Sequence, residues 1–407
     1  MRILTCRPKN FRGGEIFFSR DSGLCSRGLA SIGIDSRSVS LAPAREGDLD
    51  ELIRATREEM ADPSWWRKQN ADAVVLFSLA DPQFLDIAKA IVASGAKLLQ
   101  IADHHAIYSP LTDWPAHCAA AWHHHWYEPG WKKLLRTAAK LPISHTLGLL
   151  TVDLPVARMV VAGDIFGAAT PAAVERFRRL VRITHGKQAA QKVRLIPFPV
   201  GSHFIYDGTV PKEDLVVSVG RWHHPQKRAP LLIATIERIL NARPTTRFMI
   251  FGTITPSMLE WHGSLPNKQS DRVKFCGKVP NVELARSYQK AQIMLISSAY
   301  EGCHIASAEA MCCGCSIAGC DSPFLGALRW HAEIGSGSLA HKATARSLSE
   351  ATCRELDAWT KGTRDPSRIS QTAVSCFHTE QVARTILASI RTSDPAGGNP
   401  KNYTEVN

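Results

Sequence analysis

Apolar residues along this chain form short continuous runs, which alternate with longer segments whose apolar positions recur every three or four residues. Continuous runs are typical of strands buried on both faces of a parallel sheet, and the longer segments are typical of helices. The pattern therefore predicts repeated βαβ units. The predicted strands are Arg2–Cys6, Ser38–Ala42, Ala73–Phe77, Lys97–Ala102, Arg158–Ala162, Val193–Ile196, Leu215–Val219, Phe248–Phe251, Val273–Cys276 and Ile293–Ile296.

The length of the chain predicts two α/β domains. At 407 residues with 44% hydrophobic content, the chain can bury two ordinary cores and exceeds one typical domain. We predict an N-terminal domain over 1–199, completed by a helix at 378–392, a second domain over 200–377 and a disordered tail over 393–407. The predicted helices are Ile16–Leu29, Pro82–Ala93, Trp131–Leu141, one that begins at Thr170, Ile305–Cys313, Leu348–Trp359 and His378–Ile390.

The segment from Ile293 to Gly314 predicts a strand, a polar turn and a short helix in direct succession. In an open parallel sheet, ligands bind beyond the carboxyl ends of the strands, where a helix N-terminus offers unpaired N–H groups to an anion. Glu301 lies in the turn and Glu309 lies eight residues later in the helix. Neither carboxylate has an evident cation partner nearby in the sequence, and solvated surface carboxylates are the alternative interpretation.

A second candidate segment follows the strand Leu215–Val219. Arg221 and Lys227 stand six residues apart across a turn that contains a proline. Both side chains can converge on one diphosphate, Arg221 as a planar fork and Lys227 as a point charge. An ordinary charged turn is the alternative.

These two segments together resemble a known family. The run Glu301-Gly-Cys-His-Ile-Ala-Ser-Ala-Glu309, followed by Ala-Met-Cys-Cys-Gly, is similar to the Glu-x7-Glu motif of the retaining glycosyltransferases of family 4. That family also carries an Arg and a Lys at the spacing of Arg221 and Lys227. The resemblance covers nearly the whole chain, strongly over Val216–Pro323. It implies the α/β GT-B fold, in which two Rossmann-like domains have a cleft between them.

The sequence departs from the family at three positions. Cys303 and His304 stand where Phe and Gly are usual, which changes the wall of the pocket, and Arg228 stands where Gly is usual. The resemblance implies catalytic roles for Glu301, Asp103 and His104, the last two on the acceptor side. It implies donor binding by Arg221, Lys227, Glu309, Gly302, Cys303, His304, Gly13, Gly14, Gly277 and Val279.

Each implied role belongs to a part of the donor. Glu309 is expected on the ribose, Glu301 on the sugar, and Arg221 with Lys227 and the helix N-terminus on the diphosphate. The Gly13–Gly14 loop is also expected to face the diphosphate, and the turn from Gly277 to Val279 is expected to meet the nucleobase. No metal and no cofactor is implied.

The positive net charge of the chain indicates an anionic partner but does not show which one. The formal net charge is +12 and the pI is about 9.3, which suits a phosphorylated donor, a membrane surface or nucleic acid. Nucleic acid is the weakest of the three, since no nucleic-acid-binding motif is found. Trp131–Leu141 predicts a basic amphipathic helix that can rest on anionic lipid, with a plain surface helix as the alternative. The Trp/His-rich segment 114–131 is expected to bind an acceptor or a partner.

Other candidate chemistry has a plainer interpretation. Asp48 and Asp50 match a metal-binding Asp-x-Asp, but we interpret them as acids that cap a helix. Eleven scattered cysteines predict reduced thiols, and the cluster Cys312–Cys320 predicts small core side chains and no metal site. Without a spanning helix or an export signal in this sequence, we expect a cytoplasmic protein, peripheral on the membrane if the basic helix binds lipid.

The predicted function is a retaining, metal-independent hexosyltransferase. It would move a sugar from a nucleotide diphosphate donor to a glycan, lipid-linked or small-molecule acceptor, in cell-envelope or polysaccharide biosynthesis. The alternatives are a nucleotide-sugar epimerase or phosphorylase of the same fold, and a non-catalytic binding protein of envelope assembly.

Overall fold

A computed structural model describes residues 1–11, 13–107, 110–123 and 130–392. The chain forms two compact units. Unit 1 comprises Met1–Ala169, Ala173–Pro199 and the residues from Thr379 onward, and unit 2 comprises Thr170–Ala172 and Val200–His378. The predicted tail over 393–407, and residues 124–129 of the Trp/His-rich segment, lie outside the described residues.

Unit 1 contains a seven-stranded sheet whose strands all run parallel, in the order β3-β2-β1-β4-β5-β6-β7. Its runs of Val, Ile, Leu and Ala are buried on both faces, as a parallel sheet covered by helices requires. The strands are β1 Arg2–Arg7, β2 Asp35–Leu41, β3 Leu52–Ala55, β4 Ala73–Phe77, β5 Lys97–Ala102, β6 Ile165–Ala168 and β7 Val193–Leu195.

Helices cover both faces of this sheet. The last of them is interrupted at Gly186, whose backbone is not helical. The helices are α1 Gly14–Phe18, α2 Asp21–Ser31, α3 Arg57–Met60, α4 Pro63–Gln69, α5 Leu85–Ala93, α6 Trp114–His123, α7 Gly130–His145, α8 Leu154–Val161 and α9 Pro171–Ala190.

Unit 2 contains a six-stranded parallel sheet in the order β10-β9-β8-β11-β12-β13. The strands are β8 Glu213–Arg221, β9 Arg247–Thr253, β10 Val273–Gly277, β11 Ala291–Leu295, β12 Ser316–Cys320 and β13 Gly337–Ala340. The helices are α10 Ala229–Ala242, α11 Pro256–Ser264, α12 Asn267–Ser270, α13 Asn281–Lys290, α14 Ile305–Cys312, α15 Gly326–Ile334, α16 Ala345–Thr360 and α17 Pro366–Phe377.

The chain returns to unit 1 through its last described helix, α18 (Thr379–Thr392), which packs against α2. The Thr379 hydroxyl donates to the Leu24 carbonyl at 3.0 Å, and Lys97 Nζ donates to the Ile390 carbonyl at 3.1 Å. Both sheets have the strand order of a Rossmann-like fold, which confirms the predicted fold class. Among the helices of the described residues, none combines the length and the apolar character needed to cross a bilayer.

The main error in strand prediction is Arg158–Ala162, which lies in α8 and at its carboxyl end. Val156, Ala157, Met159 and Val160 are buried there, and this spacing is the face of a helix. The true strand, β6, begins three residues later, and a short apolar run by itself does not distinguish the two states.

Two further expectations are corrected. The helix predicted over Ile16–Leu29 is two helices, because the chain breaks at Ser19 and Arg20 and Asp21 adopts a left-handed backbone with φ +47°. Asp48 and Asp50 do not cap a helix, since the strand β3 follows them. The strands β3, β12 and β13 were not predicted, nor were several helices, among them α10, α13 and α17.

Candidate active site

The carboxyl ends of β8 and β11 lie side by side, because these two strands pair in parallel at the centre of unit 2. The strand order runs outward in opposite directions from this pair, which leaves a crevice above the strand ends. Arg221 is the last residue of β8, and the loop that carries Glu301 follows β11. The strand order therefore brings the two predicted halves of the site to one edge of the sheet.

Hydrogen bonds join the turn after β8 to the loop after β11. The Gln226 side-chain amide donates to the Tyr300 carbonyl at 2.7 Å, and the Ala299 N–H donates to the Gln226 carbonyl at 2.7 Å. The Ser297 hydroxyl donates to the Lys227 carbonyl at 2.6 Å. These bonds hold the backbone of the turn against the loop.

An ion pair completes this contact. Lys227 Nζ lies 2.5 Å from Glu301 Oε1, with 14% and 12% of the two side chains exposed. The cation partner of Glu301 thus comes from 74 residues away in the sequence, which is consistent with the lack of an evident partner nearby. Burial raises the pKa of Glu301, but electrostatic interaction with His304, which is charged only in acid, the charge of Lys227 and the hydrogen bonds from Lys227 and Ser298 outweigh it, so this pKa lies below its ordinary value. The carboxylate is ionised near neutral pH.

His304 lies near the same oxygen of the Glu301 carboxylate. It is the N-cap of α14 and has a left-handed backbone with φ +45°, and its side chain is buried. Its Nδ1 accepts the Ser307 N–H at 3.2 Å, so the proton of the neutral ring is on Nε2, which lies 3.9 Å from Glu301 Oε1. Burial is the largest cause that lowers the pKa of His304 to about 4. The ring is thus a neutral donor that faces the carboxylate.

A second buried histidine stands behind His304. The Ser307 hydroxyl contacts His304 Nδ1 at 2.8 Å and His331 Nδ1 at 2.7 Å. Burial, and then the neighbouring His304, lower the pKa of His331 to about 3. Sequence reasoning missed Ser307 and His331, because nothing local signals a bond between residues on different helices.

The remaining predicted residues of this segment flank the loop. Cys303 is buried and Gly302 is half-buried between Glu301 and the helix. Because the His304 side chain caps the Ser307 N–H, that N–H is already used within the protein. Glu309 lies on α14 and is half-buried.

Two arginines of the turn after β8 have contrasting surroundings. Arg221 is exposed, and its guanidinium has no hydrogen-bonding partner among the described residues. Arg228, which sequence reasoning noted only as a departure from Gly, has φ +49° and donates to the Ser298 carbonyl at 2.7 Å. Its Nε is buried without a partner among the described residues, and burial lowers the pKa of this guanidinium. Arg228 is a functional candidate.

Gly277 and Val279 lie at the end of β10, an edge strand of unit 2. Gly277 has φ +67°, a conformation that favours glycine, and a Cβ added there would meet open space. Val279 packs against the core of unit 2.

The Gly13–Gly14 loop of unit 1 is held by Asp48. A Cβ on Gly13 would lie 1.9 Å from Asp48 Oδ1, so only glycine fits there. Asp48 accepts from Arg54 at 2.7 and 2.8 Å and from the Arg45 N–H at 2.9 Å. Hydrogen bonds from Arg54 are the largest cause that lowers the pKa of Asp48. Asp48 therefore stabilises the Gly13–Gly14 loop, which explains why position 48 is acidic although no helix follows it.

Asp103 and His104 follow β5 in unit 1. His104 Nδ1 accepts the Ala106 N–H at 2.9 Å, which again puts the proton of the neutral ring on Nε2. Burial, and then the charge of Arg176, lower the pKa of His104 to about 4. In this arrangement His104 can donate a hydrogen bond from Nε2.

The four cysteines of the Cys312–Cys320 cluster are fully buried in the core of unit 2, and burial raises the pKa of each thiol. This confirms their prediction as core side chains. Within the described part of the chain, no group of three or more His, Cys, Asp or Glu is arranged to hold a metal ion.

The two Rossmann-like sheets define the GT-B class of glycosyltransferase folds. The chain superposes on HepE of Anabaena, solved in complex with UDP and glucose, with a TM-score of 0.59 and 15% identity over 96% of this chain and 100% of that one. It superposes on the lipopolysaccharide outer core galactosyltransferase WaaB with a TM-score of 0.61 and 14% identity over 96% and 99% of the two chains. At these identities the likeness concerns the fold.

Within that class, residues 213–357 match the family described as Glycosyl transferases group 1. Over most of unit 2, this confirms a resemblance to group 1 glycosyl transferases, which includes the Glu301 and Arg221 segments. A D-inositol 3-phosphate glycosyltransferase of Segniliparus rotundus is 27% identical over 114 residues, which are 27% of this chain and 25% of that protein. The match thus spans a quarter of the length of this relative.

The buried histidines predict acid destabilisation. Because the pKa values of His304 and His331 are lowered to about 4 and 3, the unfolded chain binds more protons than the folded chain below the ordinary His pKa of 6.5. The free energy of unfolding should therefore fall as the pH falls from 6.5 to 4, by about 1.4 kcal/mol per pH unit for each histidine. Glu301, with its lowered pKa, adds to this loss at lower pH.

Urea unfolding followed by tryptophan fluorescence between pH 7 and 4 measures this slope. In the variant His331→Gln, the slope of the free energy of unfolding against pH should be smaller by the contribution of one histidine, about 1.4 kcal/mol per pH unit. His185→Gln, which changes an exposed histidine, is the matched control. Equal slopes for wild type and His331→Gln would contradict the assignment.

Proposed function

We propose that this protein is a retaining glycosyltransferase that uses a nucleotide diphosphate sugar as donor. The observation that carries the proposal is the largely buried Lys227–Glu301 ion pair, which lies at the strand-order reversal of a unit that matches group 1 glycosyl transferases over most of its length. Arg221 ends the strand β8 at the same reversal, and its guanidinium has no hydrogen-bonding partner among the described residues. The complex of HepE with UDP and glucose, which shares the fold, is consistent with this donor class.

The proposed reaction depends on cationic side chains that stabilise the leaving diphosphate. When the bond between sugar and diphosphate breaks, negative charge develops on the leaving diphosphate, and preorganised cations stabilise it. Arg221 can bind two phosphate oxygens as a fork, and Lys227 supplies a point charge. Two side-chain cations, of which Lys227 is held in place by Glu301, can take the place of a metal ion, so we propose metal-independent transfer.

We assign each of the remaining residues to one part of the donor or to the acceptor. Glu301 binds the sugar hydroxyls, and Glu309 binds the ribose. Gly277 and Val279 meet the nucleobase with their backbone groups. In unit 1, the Gly13–Gly14 loop offers its backbone to the diphosphate, and Asp103 with His104 contacts the acceptor.

The acceptor class that we propose is a glycan or a lipid-linked molecule of envelope or polysaccharide biosynthesis. Support comes from α7, which presents Trp131, Leu134 and Leu135 to solvent at 63%, 60% and 61% exposure. The basic residues of this helix follow a different face at helical spacing, and no acid occurs between Glu128 and Asp153. An apolar face beside a basic one fits an anionic membrane surface.

Turnover tests the proposed reaction. Incubation with a panel of sugar nucleotides, with and without glycan or lipid-linked acceptors and in the presence of EDTA, should release free nucleotide. Glu301→Gln should lower the rate by at least about 100-fold, the scale of a lost electrostatic contact in the transition state. An epimerised sugar nucleotide would instead indicate an epimerase, and donor binding without any turnover would indicate a binding protein. Complete loss of turnover in EDTA, restored by manganese, would contradict metal independence.

Donor binding tests the two cations separately. Arg221→Ala and Lys227→Ala should each weaken the binding of a nucleoside diphosphate by about 1.5–3 kcal/mol, the scale of a charged hydrogen bond. Titration calorimetry measures this change.

Two further variants complete that measurement. Arg238→Ala removes an exposed arginine of α10 and is the matched control. Because Lys227→Ala leaves Glu301 unpaired, the double variant with Glu301→Gln separates lost binding from lost folding. Wild-type affinity in both single variants would refute the assignment.

Sedimentation with anionic vesicles tests the membrane surface. The quadruple change of Lys132, Lys133, Arg136 and Lys140 to Gln should abolish binding, since each basic residue contributes roughly 1 kcal/mol near such a surface. Wild-type binding should weaken as salt is raised. Nucleoside diphosphate binding should stay unchanged, because none of the proposed donor residues lies on α7.

A charge-matched control changes exposed basic residues elsewhere to Gln, namely Arg179, Arg182, Lys187 and Arg238. It should sediment like wild type. If the α7 variant also sediments like wild type, or if wild type never binds, α7 is an ordinary surface helix and the acceptor is soluble.

A further inference from the structure

Three buried residues of unit 2 form a hydrogen-bonded chain that ends beside the Glu301 carboxylate. His304 is the N-cap of α14, Ser307 lies in the first turn of that helix and His331 lies on α15. The Ser307 hydroxyl oxygen joins the two rings, at 2.8 Å from His304 Nδ1 and 2.7 Å from His331 Nδ1. Because all three residues are shielded from water, their polar atoms depend on one another for hydrogen bonds.

The atoms that meet in this chain determine where its protons lie. His304 Nδ1 accepts the Ser307 N–H at 3.2 Å, so the proton of this neutral ring is on Nε2. The Ser307 hydroxyl has one proton, and its two neighbours on His304, the ring Nδ1 and the carbonyl oxygen at 2.9 Å, are both acceptors. The contact between Ser307 and His331 Nδ1 therefore takes its proton from the His331 ring. The two histidines thus carry their protons on opposite nitrogens.

Packing fixes the far end of the chain. The His331 ring lies edge-on to the ring of Phe377 in α17, with 4.9 Å between the two centroids. The Trp330 ring lies against the same phenylalanine at 5.0 Å. Phe377 belongs to the core of unit 2, so the core sets the direction in which His331 Nδ1 donates. The hydroxyl of Ser307 then has its acceptor side occupied and directs its proton to His304.

At the near end, the orientation of the His304 ring decides which group stands beside the carboxylate. His304 Nε2 lies 3.9 Å from Glu301 Oε1, the oxygen that also pairs with Lys227. An N–H group at this place stabilises the negative charge, whereas a turned ring would put carbon there. Two contacts oppose such a turn, the Ser307 N–H and the Ser307 hydroxyl, and the second depends on His331.

We propose that Ser307 and His331 are positioning residues for the transfer reaction proposed above, on which this inference rests. Together they hold the His304 ring so that its Nε2–H stays beside the Glu301 carboxylate. Both residues are fully buried and act through His304. Such a role requires a ring at position 304, and a glycine there would leave Ser307 and His331 without a connection to Glu301.

NMR of the full-length protein with isotope-labelled histidine nitrogens tests the proton positions. Wild type should contain a buried ring protonated on Nε2 and a buried ring protonated on Nδ1. His331→Asn assigns the signals of the second ring. His304→Asn assigns those of the first, because asparagine tolerates a left-handed backbone. In Ser307→Ala, the Nδ1 proton signal of His331 should disappear, since its acceptor is removed, and the Nε2 proton of His304 should exchange with water at least about tenfold faster.

Turnover of a sugar nucleotide that the panel shows to be a donor tests the consequence for the reaction. Ser307→Ala should lower kcat about tenfold, the scale of one lost hydrogen bond. The Kd for the nucleoside diphosphate of the same base should change by less than about twofold, because Arg221 and Lys227 are intact. A general loosening of the site would instead weaken nucleotide binding and lower kcat together.

Ser316→Ala is the matched control. Ser316 is also a buried serine of unit 2 that accepts a ring N–H, that of Trp359 at 2.8 Å, but it lies at the amino end of β12. The carboxyl ends of the strands carry the candidate site, so this variant should lose comparable stability and keep the kcat of wild type.

Two changes of His331 separate its hydrogen bond from its volume. The amide nitrogen of asparagine can take the place of Nδ1, whereas that of glutamine reaches the place of Nε2. Both variants lose the buried ring, so a role in packing alone predicts the same kcat for the two. We expect His331→Asn to stay within about threefold of wild type and His331→Gln to fall about tenfold, like Ser307→Ala.

The outcomes separate this inference from the proposed function. Absence of turnover by wild type with every sugar nucleotide would refute the proposed reaction, while the NMR signals would still show whether the hydrogen-bonded chain exists. An active wild type whose kcat is unchanged in Ser307→Ala would refute the positioning role alone. Equal kcat in His331→Asn and His331→Gln, or a His331 ring without a proton on Nδ1, would refute it as well.

Discussion

The Lys227–Glu301 ion pair is the contact on which the arrangement of the candidate active site depends. Both groups are largely buried, and removal of one partner from a buried pair typically costs about 3–5 kcal/mol, because the other charge is left uncompensated. The pair therefore fixes the turn after β8 against the loop after β11 before any ligand is present. A diphosphate that approaches Lys227 meets a cation whose position is already set, and little reorganisation is needed at that moment.

Two left-handed residues stand on either side of this pair, Arg228 with φ +49° and His304 with φ +45°. A left-handed backbone costs a residue with a Cβ about 1–2 kcal/mol. Each side chain offsets part of that cost with a hydrogen bond: Arg228 donates to the Ser298 carbonyl, 70 residues away, and His304 accepts from the Ser307 N–H. As a result, a guanidinium and an imidazole stand where glycine would expose only backbone, and the wall of the site is more polar.

The two units have the same strand order, but the arginine at the end of the central strand has different surroundings in each. In unit 1, Arg7 pairs with Asp21 beside an uncapped helix, whereas in unit 2 Arg221 is exposed. Each unit also holds a loop by a buried carboxylate, Asp48 against Gly13 in unit 1 and Glu301 against Lys227 in unit 2. Ionised carboxylates thus position the loops at the carboxyl edge of both sheets.

The sequence alone determined the fold class and most strands, because runs such as Ala73–Phe77 are apolar at every position, short and bounded by polar residues, as strands buried on both faces of a parallel sheet are. Through the resemblance of two segments to a family motif, it also predicted roles for Arg221, Lys227 and Glu301, and the strand order brings these segments to one edge of the sheet. Only the tertiary structure decided that Lys227 pairs with Glu301, and that Arg158–Ala162 belongs to a helix and its end. The reason is physical: pairing across 74 residues depends on which strands are neighbours, and a short apolar run satisfies either a helix or a strand until its packing partners are present.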